Sequence, residues 1–279
     1  MANAVLLAAE VGFGLGFHSL TLIADAVHLL TDVFGLGIAL VALGLTARPP
    51  TARLSYGLHR VETLAAQTNA YLLLGVSIWI VVAAASRLVK PVNVSGEGLL
   101  VVASAGLAVN LGSALLLGRQ AGRNLNMRGA WLHLAADAAG SVGAMVAGAC
   151  ILVFGTRRAD PAIAIGIALL VSWTAWRLLR DSFHVLLEGT PAGVDAVGIE
   201  EALRTFGGVR GVHHVHVWSI ASDVPALSAH VVLAREDASI HEAQEASERI
   251  KSMLADRFGI THSTLEVECH EHSGSEHAL

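Results

Sequence analysis

Long apolar runs broken by a few isolated ionisable side chains dominate the first two thirds of the chain. Residues 63–86 and 98–118 contain no Asp, Glu, Lys or Arg. Residues 19–47 hold only Asp25, His28 and Asp32 among acids, bases and histidines, and residues 129–156 hold only His133 and Asp137. A further apolar run covers residues 162–176 and continues as an amphipathic stretch to Leu187, where Arg177 and Arg180 can snorkel to a headgroup layer. A membrane-spanning helix needs roughly 20 mostly apolar residues, so these are five spans. Residues 2–17 make a sixth, interrupted by Glu10 and ending at the turn-like Gly16-Phe17-His18-Ser19. It is short and reads as a helix whose first turns are missing. No cationic segment precedes it and no small-residue cleavage motif follows, which argues against a signal peptide.

After Glu188 the pattern changes to that of a compact α+β domain. Residues 194–206 read as a helix, 212–220 and 226–234 as strands, 239–258 as a charged amphipathic helix and 264–268 as a last strand. Helix, two strands, helix, strand predicts a small ferredoxin-like sheet with its helices on one face. The expected fold is therefore an α-helical membrane protein with six transmembrane helices, residues 1–187, and an α+β cytoplasmic domain, residues 188–279.

Composition agrees, since 54% hydrophobic and 15% charged residues with a mean hydropathy of +0.60 exclude a soluble exterior over 279 residues. Residues 1–187 carry 12 Lys and Arg against 8 Asp and Glu, whereas residues 188–279 carry 6 against 15. No basic stripe exists and the soluble part is acidic, so nucleic acid is not an expected partner. Cys150 and Cys269 lie in very different settings and make no disulfide framework. Arg48, Arg53, Arg60, Arg119, Arg123 and Arg128 fall in loops on the side of the carboxyl terminus, against Arg87, Lys90, Arg157 and Arg158 opposite. That bias puts both termini in the cytoplasm, and the membrane expected is a cell inner or plasma membrane.

The chemistry lies within the apolar spans. A charged group at bilayer depth costs at least roughly 2.5–3.5 kcal/mol on insertion scales. His28 and Asp32 are four apart and so share a helix face, with Asp25 on the adjoining position. His133 and Asp137 repeat the spacing. One such pair is more often an internal hydrogen bond than a ligand set, but a purely structural network has no need of the same spacing twice. Two imidazoles and two carboxylates converging on one point suit tetrahedral zinc, with ligand bonds of about 2.0–2.2 Å.

At these residues the sequence resembles the cation diffusion facilitator family, in particular its zinc-exporting branch. Residues 19–32 resemble that family's second-helix signature, Tyr56-Gly-Leu-His-Arg-Val-Glu62 with Asn69 its third-helix entry, and residues 124–137 its fifth. The likeness continues through Leu187-Glu-Gly-Thr-Pro191 and Val212-His-His-Val-His-Val-Trp218. It implies six transmembrane helices, a homodimer, and export of divalent cations from the cytoplasm in exchange for protons. It implies that His28, Asp32, His133 and Asp137 are the transport ligands, with His at the first position associated with zinc, and with cadmium or cobalt as further substrates. The 119–128 loop lacks the His-rich insert of many relatives.

Other residues carry weaker signals. Asp25 is equally well read as tuning the site or as capping local backbone. Glu10 reads as paired or hydrogen-bonded within the bundle, with a part in a proton path as the alternative, and Arg60 with Glu62 as an interfacial ion pair. The glycines at 12, 14, 16, 35, 37, 140, 143 and 148 read as helix-packing positions, and Trp131, Trp173 and Trp176 as belt residues. Nine of the 14 histidines lie beyond residue 188. Alternation along the strand 212–220 puts Val215 and Val217 on one face and His214, His216 and Trp218 on the other, without deciding between His213 and His214. Relatives whose cytoplasmic domains bind zinc near the dimer interface point to His213, His230 and Glu268, with His241 and His262 as weaker candidates. The tail, Cys269-His-Glu-His272 and His277, reads equally as metal-gathering or as a solvated end. The function expected is a zinc and proton antiporter in the lipid bilayer, with zinc also a regulatory ligand and no organic cofactor. Its rivals are a membrane metalloenzyme, for which no H-E-x-x-H is present, and a membrane-anchored metal sensor.

Overall fold

The computed structural model describes residues 2–118, 125–221 and 224–270, and within them the side chains of all but residues 2–6, 125–130, 132 and 133. Six helices come first: α1 (Ala2–Gly16), α2 (Leu20–Thr46), α3 (Arg60–Val89), α4 (Gly96–Gly118), α5 (Leu125–Phe154) and α6 (Ala159–Leu186). They are followed by α7 (Ala196–Arg204), β1 (Val209–Ala221), β2 (Val224–Leu233), α8 (Ile240–Phe258) and β3 (His262–Glu268). Five of the described helices, α2 to α6, are long and apolar enough to cross a membrane, and Leu7–Gly16 is a shorter apolar helix. The chain divides into two compact units, Met1–Leu40 with Ala66–Leu179, and Val41–Ala65 with Arg180–Leu279. The segment joining α2 to α3 thus belongs with the carboxyl-terminal unit, a division that a boundary at residue 188 does not anticipate.

In the first unit the helices pack through alanines and a few larger apolar side chains, and many other large apolar side chains face outward. Leu20 and Ala24 of α2 pack with Ile80 and Ala84 of α3 and with Ala164 and Ala168 of α6. Leu22 of the same helix packs with Leu99, Val102 and Ala103 of α4 and with Ala144 and Ala147 of α5. Leu36, Leu40, Val101 and Leu116 are exposed, as lipid-facing positions are. With no water to drive apolar faces together, small side chains let the helix backbones approach and gain dispersion contacts. Where α4 crosses α5 this is obligatory, since a Cβ on Gly96 or on Gly148 would lie 3.0 Å from the other's carbonyl oxygen.

The turn into α2 carries His18 at φ 54°. Beyond it, the Ser19 hydroxyl and the Leu20 and Thr21 amides all donate to the carboxylate of Asp160, in the first turn of α6.

The second unit is the expected helix–strand–strand–helix–strand arrangement. Its sheet has the order β1-β2-β3, with β1 antiparallel and β3 parallel to β2. Ile199 and Leu203 of α7, Leu227 and Val231 of β2, and Ile250 and Leu254 of α8 share one core, so both helices cover the same sheet face. The helix expected over 194–206 is shorter, because the Asp195 side chain accepts the Gly198 amide at 2.9 Å and becomes the N-cap, and Thr205 leaves helical geometry as the C-cap. Helix α8 opens with a reciprocal capping box between Ser239 and Glu242 and closes on Gly259, which adopts the left-handed φ of 69°.

One feature of β1 corrects the simple alternation. His213 lies opposite His230 and His216 opposite Ser228, so one extra residue is accommodated between them, and His214 takes a φ of 51°. Across this bulge Val212 and Val217 both face the core although they are five residues apart. The phase of the strand therefore changes at His214, and the single alternation expected over 212–220 does not hold.

Candidate metal centres

The first unit brings together part of the fourfold set expected from the two matched pairs. One face of α2 presents Asp25, His28 and Asp32. His28 Nε2 lies 3.7 Å from Asp32 Oδ2 and 3.7 Å from Oδ1 of Asp137, which α5 supplies. Asp137 and Asp25 are buried, at 4% and 7% exposure. The side chain of His133 is outside those described; its backbone lies on α5 one turn before Asp137. These separations exceed hydrogen-bonding length. Two ligands each about 2.1 Å from a tetrahedral ion stand roughly 3.4 Å apart, so the spacing is near that of a coordination shell. A cavity of about 410 Å³ adjoins the cluster, lined by Asp25, His28, Asp137 and Gly140 on one side and by Gly166 and Ile167 of α6 on the other.

Glu10 is fully buried at 1% exposure, and its Oε2 has no hydrogen-bond partner. Asp25 reaches toward Gly140, where a Cβ would stand 3.7 Å from its Oδ1. Arg60 does not pair with Glu62, as the sequence suggested. It binds Glu188 at 3.0 Å instead, while Glu62 is exposed and donates its amide to the His59 carbonyl. Trp131, Trp173 and Trp176 are exposed.

The second unit holds a separate cluster. His213 Nε2 lies 3.1 Å from Glu268 Oε2, and His230 Nδ1 lies 2.8 Å from Glu268 Oε1. One ligand atom from each of the three residues falls within 4.8 Å of the others. The bulge is what aligns His213 with His230 across the antiparallel pair, while parallel pairing sets Glu268 of β3 opposite Val232, two positions along from His230. Burial pushes the Glu268 carboxyl up, yet its hydrogen bonds to His230 and His213 outweigh that and hold it below the usual range. His214, on the bulge, sets its ring 5.2 Å from those of both His213 and His230, edge-on to the first and tilted to the second. Glu266 adds an oxygen 3.4 Å from His230 Nε2, a contact not anticipated although Glu266 and Glu268 share a strand face.

The weaker candidates stand elsewhere. His241 is exposed and pairs with Glu245 one helical turn on, at 3.3 Å. His262 sits edge-on to Tyr56, with ring centroids 5.5 Å apart. Cys269 is half-buried and His270 exposed, and residues 271–279, with Glu271, His272 and His277, lie outside the described residues. So do 119–124 of the loop holding Arg119 and Arg123.

Comparison with known proteins adds a second line of information. The cation efflux transmembrane domain matches residues 1–187, and the cation efflux protein cytoplasmic domain matches residues 191–270. The metal cation efflux system protein CzcD of Cupriavidus metallidurans is 40% identical over 275 residues, covering 97% of this chain and 86% of that protein. Zinc transporter ZitB of Escherichia coli is 40% identical over 266 residues, covering 94% and 83%. The cadmium, cobalt and zinc/H(+)-K(+) antiporter of Bacillus subtilis is 36% identical over 258 residues, covering 92% and 82%.

Proposed function

The chain belongs to the cation efflux family, with a membrane domain and a cytoplasmic domain of that family in succession, and from that premise we propose that it exports zinc from the cytoplasm in exchange for protons. It is an integral membrane transporter of metal ions rather than an enzyme, and cadmium and cobalt, named with zinc in the Bacillus subtilis relative, are further substrates of the same site. His28, Asp32, His133 and Asp137 are the transport ligands. The observation that carries this reading is the 3.7 Å spacing of His28 Nε2 from a carboxylate on its own helix and from one on another.

The physical sequence is ligand exchange. Zinc reaching the cluster from the cytoplasm displaces protons, because imidazole and carboxylate bind metal only when deprotonated. After the helices rearrange, protons from the far side recharge the ligands and the ion leaves. Histidine suits this coupling since its unperturbed pKa of about 6.5 lies near the proton concentrations on either side of a cell membrane. Both termini face the cytoplasm, residues 1–187 carry the transport path, and residues 188–279 bind regulatory zinc through His213, His230 and Glu268 while joining two copies into a homodimer. His241 and His262 are secondary metal contacts at most.

Purified protein in vesicles tests this. Imposed zinc gradients should drive opposed proton movement, and imposed proton gradients should drive zinc uphill. Zinc movement that leaves internal pH untouched would overturn the antiport, and zinc binding without any flux would favour a membrane-anchored sensor.

A further inference from the structure

The start of the ligand-bearing helix α2 is wired to a residue 140 positions away. Asp160 is fully buried. One of its carboxylate oxygens accepts the Ser19 hydroxyl at 2.6 Å and the Thr21 amide at 3.2 Å, and the other accepts the Leu20 amide at 2.8 Å. Its backbone carbonyl accepts the Thr21 hydroxyl at 2.9 Å. The Leu22 amide goes to the Ser19 hydroxyl at 3.3 Å, and the Ile23 amide to the Ser19 carbonyl, also at 3.3 Å. The amides that a helix start leaves without intrahelical partners are therefore all satisfied, two of them by one side chain of another helix. The carboxylate also meets the positive end of the α2 dipole.

Ser19 already caps this helix locally by accepting the Leu22 amide, so the contacts to Asp160 come in addition to a local cap. Asp160 ties together two helices with different parts in the site. Helix α2 carries Asp25, His28 and Asp32, whereas α6 faces the cavity with Gly166, Ile167, Leu170, Val171 and Thr174 and offers no acid or histidine there. At a rise of 1.5 Å per residue, His28 and Asp32 stand roughly 12 and 18 Å along α2 from Leu20. Sliding or turning the helix at its start therefore carries both ligand groups with it, and ligand geometry tolerates only about 0.5 Å of error.

We infer that Asp160 is a positioning residue for metal transport, holding the first turn of α2 against α6 so that His28 and Asp32 meet Asp137 at the depth and rotation the ion requires. This rests on the transport reading given above, and it goes beyond the ligands themselves.

The test compares zinc flux kinetics of Asp160→Asn and the parent in vesicles, with folded transporter counted in each. The amide keeps the side chain's shape but turns one acceptor into a donor facing helix N–H or hydroxyl donors. The apparent KM for zinc is expected to rise about tenfold, as loss of a charge-assisted contact set displaces the ligands. Asp160→Glu should recover part of that rise, and Ser19→Ala, which loses the Leu22 contact but leaves the Leu20 and Thr21 amides on Asp160, should raise KM only about two- to threefold. A cap that merely holds the fold together predicts the opposite split: flux reduced in proportion to folded protein, with the parent's KM. That result overturns the inference. If Asp160→Asn does not reach the membrane, Ser19→Ala with Thr21→Val carries the same comparison, and a parental KM there is equally decisive. A parent that moves no zinc would refute the transport reading itself, which keeps the two failures apart.

Discussion

His28 stands between two carboxylates, 3.7 Å from each, so if it is a transport ligand as proposed it would set how hard the membrane site is. Imidazole nitrogen favours the later metals of the Irving–Williams order, while carboxylate oxygen suits manganese. His28→Asp should therefore retain some zinc transport while the zinc-to-manganese ratio falls by something on the order of tenfold, the scale on which ligand surroundings alter metal affinity. Competition flux in vesicles reads that ratio, and an unchanged value would remove His28 from the selectivity role. Asp32→Ala and Asp137→Ala should each abolish most zinc flux while leaving the protein folded, and near-normal flux in both would dismantle the assignment. The pairing of these groups was legible in the sequence because i, i+4 spacing fixes a helix face regardless of tertiary packing. Asp160 was not, since its role depends on a partner on another helix, and nothing local distinguishes an acid in the first turn of α6 from an ordinary dipole-compensating one.

Among the elements, helices were read best because their signals are local. The apolar runs predicted α2 to α6, and the charged amphipathic pattern over 239–258 predicted α8, which the structure opens on a Ser239–Glu242 capping box. The bulge in β1 was not legible: an extra residue in one strand leaves no trace in hydrophobic order when the residues around it are histidines and valines. Yet the bulge is what sets His213 opposite His230. The α8 cap yields a prediction with a defined sign. Hydrogen bonds from the Ser239 amide and hydroxyl, with Arg235 nearby, hold the Glu242 carboxyl below its ordinary range. A carboxyl depressed by folding contributes stability above its unfolded pKa and loses it as pH falls through the folded value. Glu242→Gln should thus fray the first turn of α8 relative to the parent at neutral pH, and the difference should vanish in acid. Hydrogen exchange of the α8 amides, compared at matched pH, measures it, and a difference that persists in acid would assign the effect to shape instead of charge.

At the scale of the whole molecule, the chain keeps its two candidate metal centres in separate units, and the one outside the membrane segments is built into a markedly acidic part of the sequence. Residues 188–279 carry 15 acidic against 6 basic side chains, so two copies brought together repel at long range unless something offsets the charge. A divalent ion at His213, His230 and Glu268, as proposed, would supply positive charge and take the place of hydrogen bonds that now satisfy a buried carboxylate. An ion bound more tightly by the paired state shifts association by mass action, by about 2.7 kcal/mol at a hundredfold excess over its dissociation constant. Sedimentation of the full chain in detergent should therefore show a dimer whose dissociation on dilution is suppressed by micromolar zinc. His230→Ala and Glu268→Gln should each remove most of that zinc dependence while losing far less vesicle flux than Asp32→Ala does. The contrast separates an assembly role from a transport role. If instead the dimer is indifferent to zinc in the parent, or if His230→Ala stops flux as completely as Asp32→Ala, then the cytoplasmic cluster is not the assembling site, and ion supply to the membrane ligands becomes the better account of its histidines.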